Sequence, residues 1–398
     1  MHVIFVNYNQ FIDSSGIHIH FLANELEKSG IKCTVCIPQR QIRPDIFGKG
    51  LYEIVEFYDV RKLTFLDKLY LKLKQPILHA WTPRENVRLL TKYLSKSLYS
   101  DYYIHMEDNE EVILESQFDL PFTSIQKLSV NEIEKKLRKD LIHPLYYKEF
   151  INNASGVTCI FKTLEEFVPD NIPKLTFWPA CENEFYDMPL HPKQDNKCKL
   201  GLDIDTIIIC YTGNMHLNNV YDITLLYKAI GILNEKGDKV ILVRTGSNTC
   251  AFSEDVSYIV KNYVKEFGSC SAEDIRNFIS ISDIIVQPGK ENNFNNYRFP
   301  SKLPMSLASG KPVLLPKANI GKFLEDGFNC IHLNNDSLIE LVEKLKILIN
   351  NRDLRFKIGL EGRKFAKVYF NWERASKNIL TFYKETRPSI FEKFKKQK

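Results

Sequence analysis

Two polar stretches in the C-terminal half carry the residues best suited to hold an anionic ligand. Thr212-Gly-Asn-Met-His-Leu-Asn-Asn219 follows the β-branched, apolar run Thr206–Thr212. Gly213 permits close backbone approach, and amides opening a following helix bind phosphate, with Asn214 and His216 beside them. A strand-to-helix turn that needs one glycine accounts for the same residues, and the stretch is neither G-x-G-x-x-G nor a Walker loop. Gln287-Pro-Gly-Lys-Glu-Asn-Asn-Phe-Asn-Asn-Tyr-Arg-Phe-Pro-Ser-Lys302 is longer and leads into a helix that Ser301 would cap. Arg298 and Lys302 there offer positive charge to a diphosphate, to which the helix end adds its dipole. A surface loop would tolerate this polarity too, but a loop of such length in a compact domain is usually functional.

In the N-terminal half, His105-Met-Glu-Asp-Asn-Glu-Glu111 follows the apolar run Tyr102–Ile104. Its four carboxylates, Glu107 and Asp108 first, suit orienting hydroxyl groups or general-base work, and a solvated acidic turn is the alternative. Ser14-Ser-Gly16 offers backbone amides after the first apolar run. Trp81 has the face to stack on a ring, although core packing explains it equally well.

These positions make sense only if strands and helices alternate beneath them. Val3–Val6, Lys32–Pro38, Glu53–Phe57, Ile77–Ala80, Tyr102–Met106 and Gly156–Ile160 read as strands, with a helix over His18–Ser29. The alternation lapses over 179–203 and then restarts with Thr206–Thr212, Val240–Thr245, Asp283–Gln287 and Pro312–Leu315 as strands. The expected fold is therefore α/β, with two Rossmann-like, doubly wound domains facing across a cleft: residues 1–180, then 200–371. In such sheets ligands lie beyond the carboxyl ends of the strands, where all the stretches above fall.

With 398 residues, the chain exceeds what one core usually supports. A net charge of +5 suits anionic substrates but lacks the clustered basicity of a nucleic-acid binder, so no nucleic-acid partner is expected. Nine cysteines are scattered, and the single C-x-x-C at Cys33 and Cys36 lies in a strand-like run with nothing to complete a zinc site; no metal is expected. The start Met1–Tyr8 has neither the basic flank nor the cleavage site of a signal peptide, and no run of about 18 apolar residues is present, so a cytoplasmic protein is expected. The basic, amphipathic segment Lys62–Lys74 suits peripheral contact with an anionic membrane at the inner face of the plasma membrane; a charge-decorated surface helix explains it as well.

The C-terminal half resembles the retaining glycosyltransferases of family 4, also called glycosyltransferase group 1. The likeness is carried by Tyr211-Thr-Gly-Asn214, Val240-Ile-Leu-Val-Arg-Thr-Gly246, Ser282-Asp-Ile-Ile-Val-Gln-Pro288, Phe299-Pro-Ser-Lys-Leu303, Leu307-Ala-Ser-Gly-Lys-Pro-Val313 and Phe370-Asn-Trp-Glu-Arg-Ala375. In the first half, Ser15-Gly16 with Leu22-Ala-x-x-Leu26 looks like that family's glycine loop and first helix.

The resemblance implies a GT-B fold whose last helix, 372–398, crosses back to the first domain. It implies metal-free sugar transfer, with retention, from a UDP- or GDP-linked nucleotide sugar to a glycan or polyprenol-linked acceptor, without a resident cofactor, in bacterial surface-polysaccharide assembly. By position, Gly213 and Asn214 fall beside the diphosphate and sugar, Phe267 and Gly268 beside the base, and Glu291–Phe294 opposite the donor sugar. Gly16, Ser301 and Lys302 attend the phosphates. Glu107 aligns where the family often has a histidine, with Asp108 beside it. Three departures stand out: Asn214 and Asn219 replace the usual Arg and Lys, and Met305 replaces a ribose-binding glutamate, leaving only Glu291 of the usual pair. Arg244, Arg298 or Lys302 would then supply the phosphate charge. The departures leave open a catalytically silent binding or scaffolding subunit, and the architecture a nucleotide-sugar epimerase.

Overall fold

A computed structural model describes residues 1–11, 14–39, 49–190, 197, 201–216, 219–251, 256–334 and 337–387. The linker residues Pro192, Lys193 and Lys199 and the basic tail Phe394–Lys398 lie outside them. The chain divides into two compact units, 1–179 with 297–299 and 372–398, and 180–296 with 300–371.

The first unit holds seven parallel strands: β1 (His2–Asn7), β2 (Lys32–Ile37), β3 (Glu53–Glu56), β4 (Ile77–Trp81), β5 (Tyr102–Met106), β6 (Gly156–Cys159) and β7 (Lys174–Thr176), in the order β3-β2-β1-β4-β5-β6-β7. Val3 pairs with Cys33 on one side and Ile77 on the other. Strands covered on both faces need continuous apolar runs, and Val3, Phe5, Val35, Leu78 and Ile104 are all fully buried. Both cysteines of the C-x-x-C are buried within β2, and burial pushes the Cys36 thiol up to about 12. Helix α1 (Ser14–Lys28) begins four residues earlier than its apolar spacing suggests, so Ser14-Ser-Gly16 forms its first turn and not a loop. Helices α2 (Phe65–Lys74), α3 (Glu85–Leu98) and α4 (Glu110–Phe118) follow.

The second unit holds β8 (Ile207–Thr212), β9 (Val240–Thr245), β10 (Val264–Glu266), β11 (Ile284–Val286), β12 (Val313–Pro316) and β13 (Ile331–Leu333), all parallel, in the order β10-β9-β8-β11-β12-β13. Its core gathers Ile209, Tyr211, Leu226, Tyr227, Leu242, Leu314 and Leu345. Helices α5 (Val220–Glu235), α6 (Ala272–Ile281), α7 (Leu303–Ala308), α8 (Leu338–Asn350) and α9 (Arg352–Tyr369) connect the strands and close the unit.

The closing helix, α10 (Trp372–Thr386), packs within the first unit. Trp372 stacks on Phe21 of α1 at 5.9 Å, and Tyr383 Oη lies 2.7 Å from His79 Nδ1 in β4. Gly156 in β6 is required here, since a Cβ would come within 2.7 Å of the Phe382 ring.

Candidate functional site

In each sheet the chain winds outward in one direction and then resumes on the other side of the first strand. Those reversals fall between β1 and β4 and between β8 and β11, where parallel sheets open a crevice at their carboxyl edge. Both candidate sets sit at such edges.

In the second unit three turns at the ends of β8, β9 and β10 are laced together. Gly213 N donates to Thr245 O at 3.1 Å, and Gly246 N donates to Gly268 O at 2.6 Å. Gly246, at φ +105°, must be glycine: a Cβ would lie 2.4 Å from the Gly213 carbonyl oxygen. Arg244, expected at the phosphates, points elsewhere. It is 1% exposed, and its guanidinium donates to Asn248 Oδ1 at 2.5 Å, Glu266 Oε1 at 2.8 Å and Gly213 O at 3.2 Å. Tyr227 Oη donates to the same Glu266 oxygen at 2.5 Å. The arginine therefore shapes the glycine turn from beneath, with its charge already paired.

Asn214 and Asn219 are likewise engaged locally. Ser247 N donates to Asn214 Oδ1 at 2.9 Å; His216 N donates to Asn219 Oδ1 at 2.8 Å, and Asn219 Nδ2 to Asn214 O at 2.9 Å. Phe267 stays 39% exposed with its ring 4.2 Å from Phe278, and Gly268 follows it at φ +63°.

The segment after β11 folds on itself through its asparagines. Asn295 N donates to Asn292 Oδ1 at 2.8 Å and Asn295 Nδ2 to Lys290 O at 2.8 Å. Asn319, in a left-handed conformation after β12, donates to Asn295 O at 2.8 Å and ties the two loops together. Glu291 is exposed and paired with Lys322 at 2.6 Å, which holds its carboxyl below the usual range. Ser301 does not cap α7; Lys302 occupies that position without a side-chain cap bond, and Met305 lies half-buried on this six-residue helix. Burial pulls the Lys302 ammonium below its ordinary value, with Glu182 opposing. Among the described residues it makes no hydrogen bond or ion pair. It is a half-buried cation that Glu182 answers only through space.

In the first unit the acidic stretch disperses. Glu107, at the end of β5, receives hydrogen bonds from Ser15 Oγ, from His18 Nδ1 at 2.8 Å and from Trp81 Nε1 at 2.9 Å. Burial works against its ionisation, but the His18 bond and charge, the charge of His105 and the Ser15 bond outweigh it and hold the carboxyl down at about 2. Trp81 is fully buried, so it braces Glu107 and cannot stack on a ligand. Behind it, Thr158 Oγ1 bonds both His105 Nδ1 at 2.8 Å and His79 Nε2 at 3.1 Å, and burial lowers His105 to about 3.

Arg84 Nε contacts both Glu110 oxygens at 2.9–3.0 Å, Asn109 caps α4, and Glu111 accepts from Tyr147 Oη. Asp108 alone of the four carboxylates accepts no hydrogen bond among the described residues. Burial pushes it up, while Arg84 and Arg298 pull it down. Gly16 is buried in the first turn of α1, its Cα side 3.0 Å from the Phe11 backbone as measured from an added Cβ. Ser15 and His18, three apart on α1, are the partners that sequence reasoning missed; their helical spacing facing the first strand edge was the available signal.

No family model matches the chain. An uncharacterised glycosyltransferase of Methanocaldococcus jannaschii is 26% identical over 246 residues, 60% of this chain and 62% of that protein, so the match spans about three fifths of the relative's length. HepE of Anabaena, solved with UDP-glucose, matches with a TM-score of 0.67 and 12% identity over 97% of this chain and 100% of that one. Sucrose-phosphate synthase of Thermosynechococcus elongatus matches with a TM-score of 0.67 and 14% identity over 97% and 98%. At these identities the structural likeness shows the fold: two parallel-sheet, Rossmann-like units, as the alternation of elements led one to expect, of the GT-B class that the family resemblance implied.

Proposed function

We propose that the chain is a metal-independent glycosyltransferase, moving a sugar with retention from a UDP- or GDP-linked donor to a hydroxyl of a glycan or polyprenol-linked acceptor, in bacterial cell-surface polysaccharide biosynthesis. The observation that carries this reading is Lys302, a half-buried ammonium that makes no hydrogen bond or salt bridge among the described residues. It follows the strand adjacent to the Gly213 turn in the second sheet. A charge drawn partly out of water gains most when an anion completes it, and the pyrophosphate of a nucleotide sugar has the right charge. The fold likeness to HepE, solved with UDP-glucose, and the sequence likeness to an uncharacterised glycosyltransferase support that identity.

In this scheme Ser301 and Lys302, with the close approach that the Gly213 turn allows, take the charge developing on the leaving diphosphate, the largest contribution expected for such chemistry. Asn214 and His216 attend the sugar, Glu291 faces it, and Phe267 and Gly268 border the base. The acceptor oxygen bonds to the anomeric carbon on the face that the phosphate oxygen leaves, and the hydroxyl proton passes to the departing phosphate. Asp108 orients the acceptor, while Glu107 remains a fixed negative charge. The second reading, a catalytically silent subunit, is favoured by one observation: Asn214 and Asn219 are taken up by the Ser247 and His216 amides and bring no cation.

Titration calorimetry with UDP and GDP separately tests both. One nucleotide should bind, and Lys302→Ala, folded as judged by its melting curve, should bind it about tenfold or more weakly, as befits a charge-assisted contact of about 1.5–3 kcal/mol. Heat from neither nucleotide, with no nucleotide released from donor sugars, would leave the silent subunit standing.

A further inference from the structure

Helix α2 is formed but almost unburied. It carries a complete capping box, in which Thr64 and Asp67 bond each other's backbone amides, yet none of its residues is buried. Phe65 is 78% exposed, Leu66 72% and Leu73 75%, with Leu69 and Tyr70 between them also exposed. Spaced at i, i+1, i+4, i+5 and i+8, these five side chains form one outward apolar stripe. The inward residues Lys68 and Leu71 are only half-buried. A soluble helix normally turns such a stripe toward the core, and large exposed apolar patches mark interaction sites.

The surroundings of the stripe select its partner. Lys62 lies 3.7 Å over the Tyr58 ring, Lys72 3.8 Å over Tyr99 and Lys74 5.4 Å over Tyr70. Arg61 is exposed nearby, Lys92 is paired with Glu149 at 3.2 Å, and the one carboxylate of the helix, Asp67, is engaged in the cap. The apolar ridge is thus rimmed by cations whose stems lie along aromatic rings, the arrangement in which lysines reach headgroups while tyrosines sit at the interfacial level. A second copy of the same face would set this cationic rim against itself. We infer that α2, with Arg61, Lys62 and Tyr99 beside it, docks the protein onto an anionic lipid bilayer, its axis in the membrane plane and the Phe65–Leu66–Leu69–Leu73 stripe among the acyl chains. The inference uses none of the donor-site residues, so lipid binding and nucleotide binding can fail independently.

Flotation of the full chain with phosphatidylcholine vesicles, with and without phosphatidylglycerol, tests it. The chain should float with the anionic vesicles, stay behind with the neutral ones and be released by high salt. Leu66→Glu with Leu73→Glu should abolish flotation. Lys72→Gln with Lys74→Gln should weaken it about fivefold per lysine. Both pairs are exposed, so melting curves should match the parent. Phe65→Trp should shift its emission to the blue on anionic vesicles. Equal binding to neutral vesicles, flotation that survives the leucine substitutions, or a tryptophan whose emission does not move would overturn the proposal. So would a dimer that the same substitutions dissociate.

Discussion

Glu107 shows how far a residue's chemistry depends on its neighbours. Read along the chain, it is one of four carboxylates in seven positions; folded, it is buried among Ser15, His18 and Trp81 and held ionised. Sequence could place it at the end of a strand, but not say which carboxylates would be absorbed by Arg84 and Tyr147, because those partners come from elements 26 to 36 residues away. The same blindness applies to Arg244, whose charge is answered by Glu266 on the neighbouring strand edge. Because the folded Glu107 carboxyl is depressed to about 2, its contribution is complete above the unfolded value and is lost as pH falls from there toward 2. Thermal melts between about pH 5 and pH 3 should show the first unit losing stability. Glu107→Gln should already be less stable near neutrality, by about 3–5 kcal/mol, and should show a flatter acid limb. An identical acid slope in both proteins would move the effect to another group.

At the level of elements, the long apolar strands were legible because parallel sheets buried on both faces demand unbroken β-branched runs. The three-residue strands β7, β10 and β13 were not: Lys174-Leu-Thr176 is half-buried and too short to show a period. The turn leading from β8 toward α5 was visible as Gly213, but the matching need at Gly246 arises only where two backbones meet. Gly246→Ala should therefore cost about 1–3 kcal/mol and weaken nucleotide binding in the same calorimetric titration, because the left-handed turn and the Gly213 carbonyl cannot both be kept. Full retention of nucleotide affinity would detach this turn from the donor site. The cap of α7 was misread for a related reason: Ser301 has the right chemistry, but Pro304 and the tight entry move the cap position to Lys302.

At the scale of the whole chain, the succession of two alternating sets is a sequence-level property. The membership of α10 in the first unit is not, since its apolar face carries no address; the expectation came from family resemblance. In the fold, Trp372, Ile379, Phe382 and Tyr383 are buried. A chain ending at Asn371 should lose several kcal/mol from the first unit, because each large buried side chain contributes about 1.5–3 kcal/mol. Calorimetry would show this as a lowered first-unit transition with the second unit's unchanged; two unshifted transitions would mean that α10 adds little.

The place of α10 also dictates a timetable. The N-terminal sheet leaves the ribosome early, yet the helix that seats Phe382 against Gly156 is translated only after every strand of the second unit. For on the order of ten seconds or more the nascent chain must carry its first sheet with a strip of core open to water. A product released before residue 372 would keep that strip open and be prone to aggregate.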